Sequence, residues 1–254
     1  MKANFNDQFS AHARTYANAR PDYPAELFLY LSSLCEQHEL AWDCATGNGQ
    51  AAKSLAKDFA RVIATDASAE QIQQAPAVEN VEYRRVAAEE QFLPADSVDL
   101  VVVAQALHWF DIAAFFENVD CVLKVGGVLA VWTYGLPKIN DPIDRLVQKL
   151  YADILDDYWP AERRIVEQAY ANVDFPYREI AGEEFKMSRR WSLAQLSDFI
   201  MSWSAVQRYM EKQGSNPLQS LDPELREAWG TDPQQAVEVQ WPMVLKLGRK
   251  EAAG

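Results

Sequence analysis

The chain has 254 residues, with 24 Lys plus Arg against 37 Asp plus Glu, a net charge of −13. Such an acidic surface repels phosphate backbones, which argues against a nucleic-acid partner. Hydrophobic residues make up 49%, so composition excludes a disordered chain and suits a full α/β core within one large domain.

The three cysteines, Cys35, Cys44 and Cys121, are odd in number and widely spread. That argues against a disulfide framework and against a zinc site, and fits reduced thiols; no metal is expected. The opening residues hold no apolar stretch of signal-peptide length, and no apolar run reaches the roughly 18 residues of a membrane span. A soluble, cytoplasmic protein with no membrane partner is expected, as a monomer or homodimer.

Residues Phe5 to Ala19 read as a polar helix with aromatics, broken by Arg20-Pro21-Asp22-Tyr23-Pro24. Ala25 to His38 reads as a second helix, with Leu27, Leu31 and Leu34 at helical spacing. Leu40 to Cys44 is a short strand that runs into the small-residue loop Ala45-Thr46-Gly47-Asn48-Gly49, and Gln50 to Phe59 is a helix. The alternation continues. Arg61 to Asp66 is a β-branched strand, Ser68 to Ala75 a helix with Ser68 as N-cap, and Val81 to Val86 a strand. Val98 to Ala104 is apolar almost throughout, as at the centre of a parallel sheet. Ile112 to Leu123 is a helix stopped by Lys124-Val125-Gly126-Gly127, and Val128 to Thr133 an apolar strand.

The pattern then changes. Lys138 to Phe175 is acidic, aromatic and helical, and its acidic run from Asp153 to Glu167 suits a solvated face. Glu183 to Trp191 suits a strand, while Ser192 to Met210 and Pro223 to Trp229 suit helices. Ala236 to Leu247 is a late strand in which Pro242 signals an edge or a bulge. Strands alternating with helices imply a doubly wound parallel sheet.

Ligands of such sheets bind beyond the carboxyl ends of the strands. There Gly47 and Gly49 allow close backbone approach and positive φ, and Asp43 ends the first strand. Asp66 ends the second, placed to accept two hydrogen bonds from a ribose diol. Gly47-x-Gly49-x-x-Ala52 with Asp66 also fits a dinucleotide fingerprint, so an NAD-dependent oxidoreductase stays open. Two features weigh against it: helices precede the first strand, and the charge of Asp43 would repel a pyrophosphate while suiting a sulfonium or an amino group.

The run Asp43-Cys44-Ala45-Thr46-Gly47-Asn48-Gly49 resembles the first motif of class I S-adenosylmethionine-dependent methyltransferases, with Ala45 where glycine is usual. Ile63 to Gln71 resembles the second motif. Val86-Ala87-Ala88-Glu89 resembles the adenine-contacting segment, with Ala87 where aspartate is common. Ala104 to Phe110 and Leu123 to Gly127 resemble the fourth and fifth. Ala106-Leu107-His108-Trp109-Phe110, together with Tyr16-x-x-x-Arg20-Pro21-x-Tyr23-Pro24, is similar to a subgroup that includes trans-aconitate methyltransferase and related small-carboxylate methyltransferases. The resemblance fades after about residue 136.

It implies a Rossmann-like, mostly parallel seven-stranded sheet with its last strand antiparallel. Within one domain over 1–254, residues 1–38 would be N-terminal helices, 39–136 the cofactor-binding half, and 137–254 a helical cover with the final strands. S-adenosylmethionine would be the cofactor. Ala45, Thr46, Gly47 and Gly49 would hold its methionine, Asp66 its ribose, and Ala67 and Gln71 its adenosine. The backbone of Ala88 would meet the adenine, with Glu89 nearby, and Ala104 and Gln105 would lie beside the donor.

Methyl transfer from a sulfonium is an in-line displacement, so positioning and desolvation carry most of the task. A carboxylate acceptor needs no base, whereas a hydroxyl or amine can. His108 follows the fourth strand and suits a general base or a substrate donor, or it packs the crevice floor with Trp109. Arg20 suits a carboxylate of the substrate or of the donor. Tyr16 and Tyr23 are candidates to line the acceptor pocket, Trp132 and Tyr134 to face it, and Trp203 to belong to its cover. The expected reaction is methylation of a small molecule, on a carboxylate or hydroxyl. N- or C-methylation, or a donor-binding protein without activity, are the alternatives.

Overall fold

The structure, a computed structural model, describes residues 20–252. The expected helix over Phe5 to Ala19, and Tyr16 with it, lies outside the described residues. Five strands form the parallel part of the sheet: β1 (Leu40–Cys44), β2 (Arg61–Asp66), β3 (Val81–Arg85), β4 (Val98–Ala104) and β5 (Leu123–Tyr134). Their order is β3-β2-β1-β4-β5. Strand β8 (Val237–Arg249) then adds antiparallel to β5, and β6 (Arg178–Glu179) pairs antiparallel with the end of β8. This seven-strand path with an antiparallel late strand is the one expected. An eighth strand, β7 (Lys186–Trp191), pairs with the first half of β8.

Helix α1 (Ala25–Ser33) precedes β1, and α2 (Gln50–Leu55), α3 (Ala69–Gln73) and α4 (Ile112–Val122) connect parallel strands. Alternate strand residues serve two cores. Trp42, Ile63, Val101, Val103, Leu129 and Val131 bury against Phe115, Val119 and Val122 of α4. Ala41, Val62, Leu100, Val102, Val128 and Ala130 bury against Leu27 and Leu31 of α1 and Ala52 and Leu55 of α2. The near-continuous apolar run of β4 follows from burial on both faces. Each large side chain so buried contributes roughly 1.5–3 kcal/mol.

The described residues divide into two units. A sheet unit holds Asp22–Tyr134, Arg164–Phe185 and residues 243–252. A helical unit holds residues 20–21, Gly135–Arg163 and Lys186–Pro242. The sheet unit runs to Tyr134, and Arg164–Phe185 returns to it. In the helical unit lie α5 (Asp141–Lys149), which a π-helical turn (Leu150–Ile154) extends, then α7 (Leu193–Met201), α8 (Ser204–Gln213) and α9 (Asp222–Trp229). The short α6 (Arg163–Glu167) opens the returning segment.

Three expectations need correction. Strand β5 begins at Leu123, directly after α4, rather than at Val128. Val98 pairs with Leu123, a register shift follows before Leu100, and Gly126 takes φ +84°. A Cβ on Gly127 would stand 2.8 Å from the Lys124 carbonyl, so the glycine pair makes a bulge rather than a stop. The single helix expected over Ser192 to Met210 is two, because Trp203 is extended (φ −72°, ψ 136°). Pro242 does not interrupt β8. It stands where β8 leaves β7 for β5, and its carbonyl accepts from Gly135 N at 2.9 Å. A residue without an N–H is tolerated at that handover.

Candidate functional site: the glycine turn and the end of the fourth strand

The loop after β1 is the most constrained backbone in the sheet unit. Ala45, Gly47 and Gly49 take φ +56°, +58° and +84°. The alternate left-handed residues fold the chain back into α2, and positions 47 and 49 carry no side chain. Ala45 is not a glycine, and a Cβ in this region costs roughly 1–3 kcal/mol. A Cβ on Gly49 would meet the Tyr83 hydroxyl at 2.6 Å and its ring at 3.1 Å. Tyr83, on β3, is thus a wall of the turn that the motifs did not reveal.

Asp43 does not face the crevice, contrary to expectation. It is completely buried beneath the turn. Its Oδ2 accepts from Thr46 Oγ1 at 2.5 Å and from Ala52 N at 2.8 Å, tying the turn to the first turn of α2. Among the described residues its Oδ1 has no partner, nor does the buried Tyr83 hydroxyl. Burial pushes the Asp43 carboxyl up to about 7; the two hydrogen bonds oppose the rise and the Asp66 carboxylate adds to it. Burial, with the Asp43 charge, pushes the Tyr83 phenol up to about 12.

Asp66 is half-buried at the end of β2. Its Oδ2 accepts from Gly47 N at 2.9 Å and its Oδ1 from Ser68 N at 2.8 Å. One carboxylate therefore braces both loops. Ser68 caps α3 by accepting from Gln71 N, as expected. Gln71 is buried, and its Oε1 stands 4.0 Å from where a Gly47 Cβ would be. Beyond β3, the Ala88 carbonyl accepts from Asn118 Nδ2 at 2.9 Å, and Glu89 Oε1 accepts from Asp111 N at 2.9 Å. Glu89 is thereby tied to the start of α4. Ala67 is half-buried and its carbonyl accepts from Arg85 Nε.

After Ala104, which ends β4, Gln105 has φ +57°. Three hydrogen bonds hold it: N to the Trp132 carbonyl at 2.9 Å, Thr133 Oγ1 to its Oε1 at 2.8 Å, and its Nε2 to the Tyr134 carbonyl at 3.2 Å. The 3-10 turn Leu107–Trp109 follows and buries His108. The imidazole Nδ1 lies 3.3 Å from the Tyr170 hydroxyl, and Trp109 packs on it at 4.7 Å. Trp109 itself is 38% exposed.

Other candidates are placed differently. Trp132 is completely buried, with Tyr23 and Phe28 edge-on at 5.3 and 6.2 Å. The structure gives it to the core under α1 rather than to a crevice wall, and Tyr23 packs with it. Tyr134 is buried at the end of β5. Trp203 and Arg20 belong to the helical unit. Trp203 sits among Tyr151, Trp159 and Phe199, and the Arg20 guanidinium lies 5.4 Å from the Phe199 ring centre.

A left-handed glycine turn braced by the acid of the next strand, at the carboxyl ends of a parallel sheet, defines a nucleoside-binding α/β enzyme. Comparison with known proteins places it further. Residues 42–131 match the methyltransferase-domain family. A protein of Dictyostelium discoideum, named as a candidate methyltransferase, is 34% identical over 253 residues, covering 97% of this chain and 96% of that one. A Saccharomyces cerevisiae protein, named as a probable S-adenosylmethionine-dependent methyltransferase, is 30% identical over 146 residues, 52% of this chain and 47% of its own. The structure of a candidate type II methyltransferase from Anaeromyxobacter dehalogenans superposes with a TM-score of 0.85 at 37% identity, covering 92% of this chain and 99% of that one.

The chain belongs to the class I S-adenosylmethionine-dependent methyltransferases. Family membership decides between the two cofactors that the glycine turn left open, and nothing in the comparisons supports the dinucleotide alternative. The residues present fit the donor: positions 47 and 49 carry no side chain on a left-handed turn, and Asp66 sets a carboxylate at the end of β2 against that turn. Among the described residues no helix is long and apolar enough to cross a membrane, and no group of three or more His, Cys, Asp or Glu is placed to hold a metal ion.

Proposed function

We propose that the protein methylates an oxygen of a small organic acid, a carboxylate or a hydroxyl, in the cytoplasm, as a monomer or homodimer. S-adenosylmethionine supplies an already activated methyl group. The protein's residues then have to hold the donor, orient the acceptor and exclude water. In this reading the turn at Ala45, Thr46, Gly47 and Gly49 holds the methionine part, and Asp66 takes the ribose hydroxyls. Ala67, Gln71, Ala88 and Glu89 border the adenosine, while Ala104 and Gln105 border the transferable methyl. His108 contacts the acceptor, with Trp109, Tyr134 and Tyr23 nearby. Arg20, Tyr16 and Trp203 are acceptor candidates from the rest of the chain.

One observation carries the choice of acceptor. Among the described residues, the side chains gathered beyond β4 are Gln105, His108, Trp109 and Tyr170, none of them a carboxylate. The carboxylates of Asp111 and Glu89 are engaged at the start of α4, Asp111 on Ala114 N and Glu89 on Asp111 N. An ammonium acceptor would call for a free carboxylate there, whereas an oxyacid calls for donors. The net charge of −13 supports a small-molecule acceptor over nucleic acid.

The test is transfer of labelled methyl from S-adenosylmethionine to a panel of mono-, di- and tricarboxylates, phenols and primary amines. Label in base-labile esters or in aryl ethers is expected. Label confined to amine products would overturn the proposal.

A further inference from the structure

The Gln105 backbone at the end of β4 is left-handed without being glycine. The same holds at two consecutive residues far along the chain, Ala169 at φ +50° and Tyr170 at φ +58°. Strain of this kind persists only where surrounding contacts impose it. Here they are visible. Tyr170 N donates to the Ile165 carbonyl at 3.0 Å, and Val173 N donates back to the Tyr170 carbonyl at 3.0 Å. Lys246, from β8, donates to the Tyr170 and Val173 carbonyls at 2.9 and 3.3 Å. The result is a tyrosine with 1% of its surface exposed, its ring stacked on His108 at 26° and its hydroxyl at Nδ1. Two strained segments, 62 residues apart, thus present one side chain to the other.

We infer that Tyr170 is a positioning residue that holds His108 as its Nε2–H tautomer. The imidazole then meets the methyl acceptor as a hydrogen-bond donor, not as a base. A phenol is the stronger acid of the pair and an imidazole nitrogen the stronger acceptor, so in the neutral pair the Tyr170 O–H donates to Nδ1. That leaves the ring proton on Nε2, because the hydrogen bond made by one ring nitrogen fixes the state of the other. A donor at this place suits a carboxylate, which is nucleophilic without deprotonation. The inference rests on the reading that His108 contacts the acceptor, and it names what His108 does there.

The experiment is long-range proton–nitrogen NMR of the full chain at about pH 8.5, well above ordinary imidazole titration. His12 and His38 serve as internal controls, and His108→Phe assigns the third ring. His108 is expected to show a protonated Nε2 and an accepting Nδ1. Tyr170→Phe keeps the ring packing and should shift the tautomer ratio about tenfold toward a mixture, the equivalent of one lost neutral hydrogen bond. An unchanged ratio in Tyr170→Phe overturns the inference. In turnover of the best carboxylate from the panel, Tyr170→Phe should raise KM for the acceptor about twofold, the share of the donor tautomer lost in an even mixture, with kcat unchanged. A collapse of kcat at unchanged KM would mark His108 as a base and overturn the donor assignment. A tautomer shift in Tyr170→Phe together with full turnover in His108→Phe upholds the pairing of the two rings, and places the acceptor elsewhere.

Discussion

The two sides of the proposed site, the glycine turn assigned to the donor and the end of β4 assigned to the acceptor, are built by opposite means. On the donor side, Asp43, Thr46, Gly47 and Ala52 lie within ten residues, and Asp66 joins them from the next strand. Backbone groups do most of the shaping. At the end of β4, His108, Tyr170 and Lys246 come from three distant parts of the chain. There the shaping is done by side chains held on strained backbone. A local device can be recognised by its spacing and repeated across a family, whereas a long-range one is free to vary with the acceptor.

The contrast can be broken first at its tightest point. Gly49→Ala forces a Cβ into the Tyr83 hydroxyl at a left-handed residue, and should lose about 3 kcal/mol of stability or donor affinity. Thermal denaturation and calorimetry with S-adenosylhomocysteine would show it, with partial rescue by adding Tyr83→Leu. No loss would mean that the backbone does not shape the turn as described.

Asp66→Ala should weaken S-adenosylhomocysteine binding by about 1–3 kcal/mol, since the charged hydrogen bonds proposed to the ribose would be lost and the Gly47 and Ser68 N–H groups released. An unchanged Kd in the same titration would remove Asp66 from the donor side.

Asp43→Asn sharpens the point that this residue organises the turn from below. With its folded pKa raised from 3.8 to about 7, the wild-type carboxyl adds stability when protonated. That contribution is complete below about pH 4 and is lost as pH rises through about 7. The asparagine variant carries no such charge. Its stability relative to wild type should therefore rise between about pH 5 and pH 8, by on the order of 1–3 kcal/mol. Denaturant midpoints at the two pH values test the sign; a pH-independent difference would refute the buried charge.

The smallest effect is expected at Ala45→Gly. Glycine relieves the strain at φ +56° but loosens the unfolded chain, for a net gain of about 0.5–1 kcal/mol. Urea unfolding with an unaltered slope would register it.

The sequence by itself determined the parallel sheet, the position of the glycine turn and Asp66 at the end of β2. Strand alternation, small residues and a cap such as Ser68 act over a few neighbours, so their pattern survives in one dimension. It also supplied His108 as a candidate. Tertiary structure alone decided what each did. It turned Asp43 inward, gave Trp132 to the core, set Tyr83 against Gly49, and read Gly126-Gly127 as a bulge in β5 rather than the end of a helix. Tyr170 had no local signal at all. Nothing near it in the chain reports that the β8 lysine will hold its carbonyl or that the β4 histidine will meet its hydroxyl, because such contacts exist only once the chain has closed over long separations.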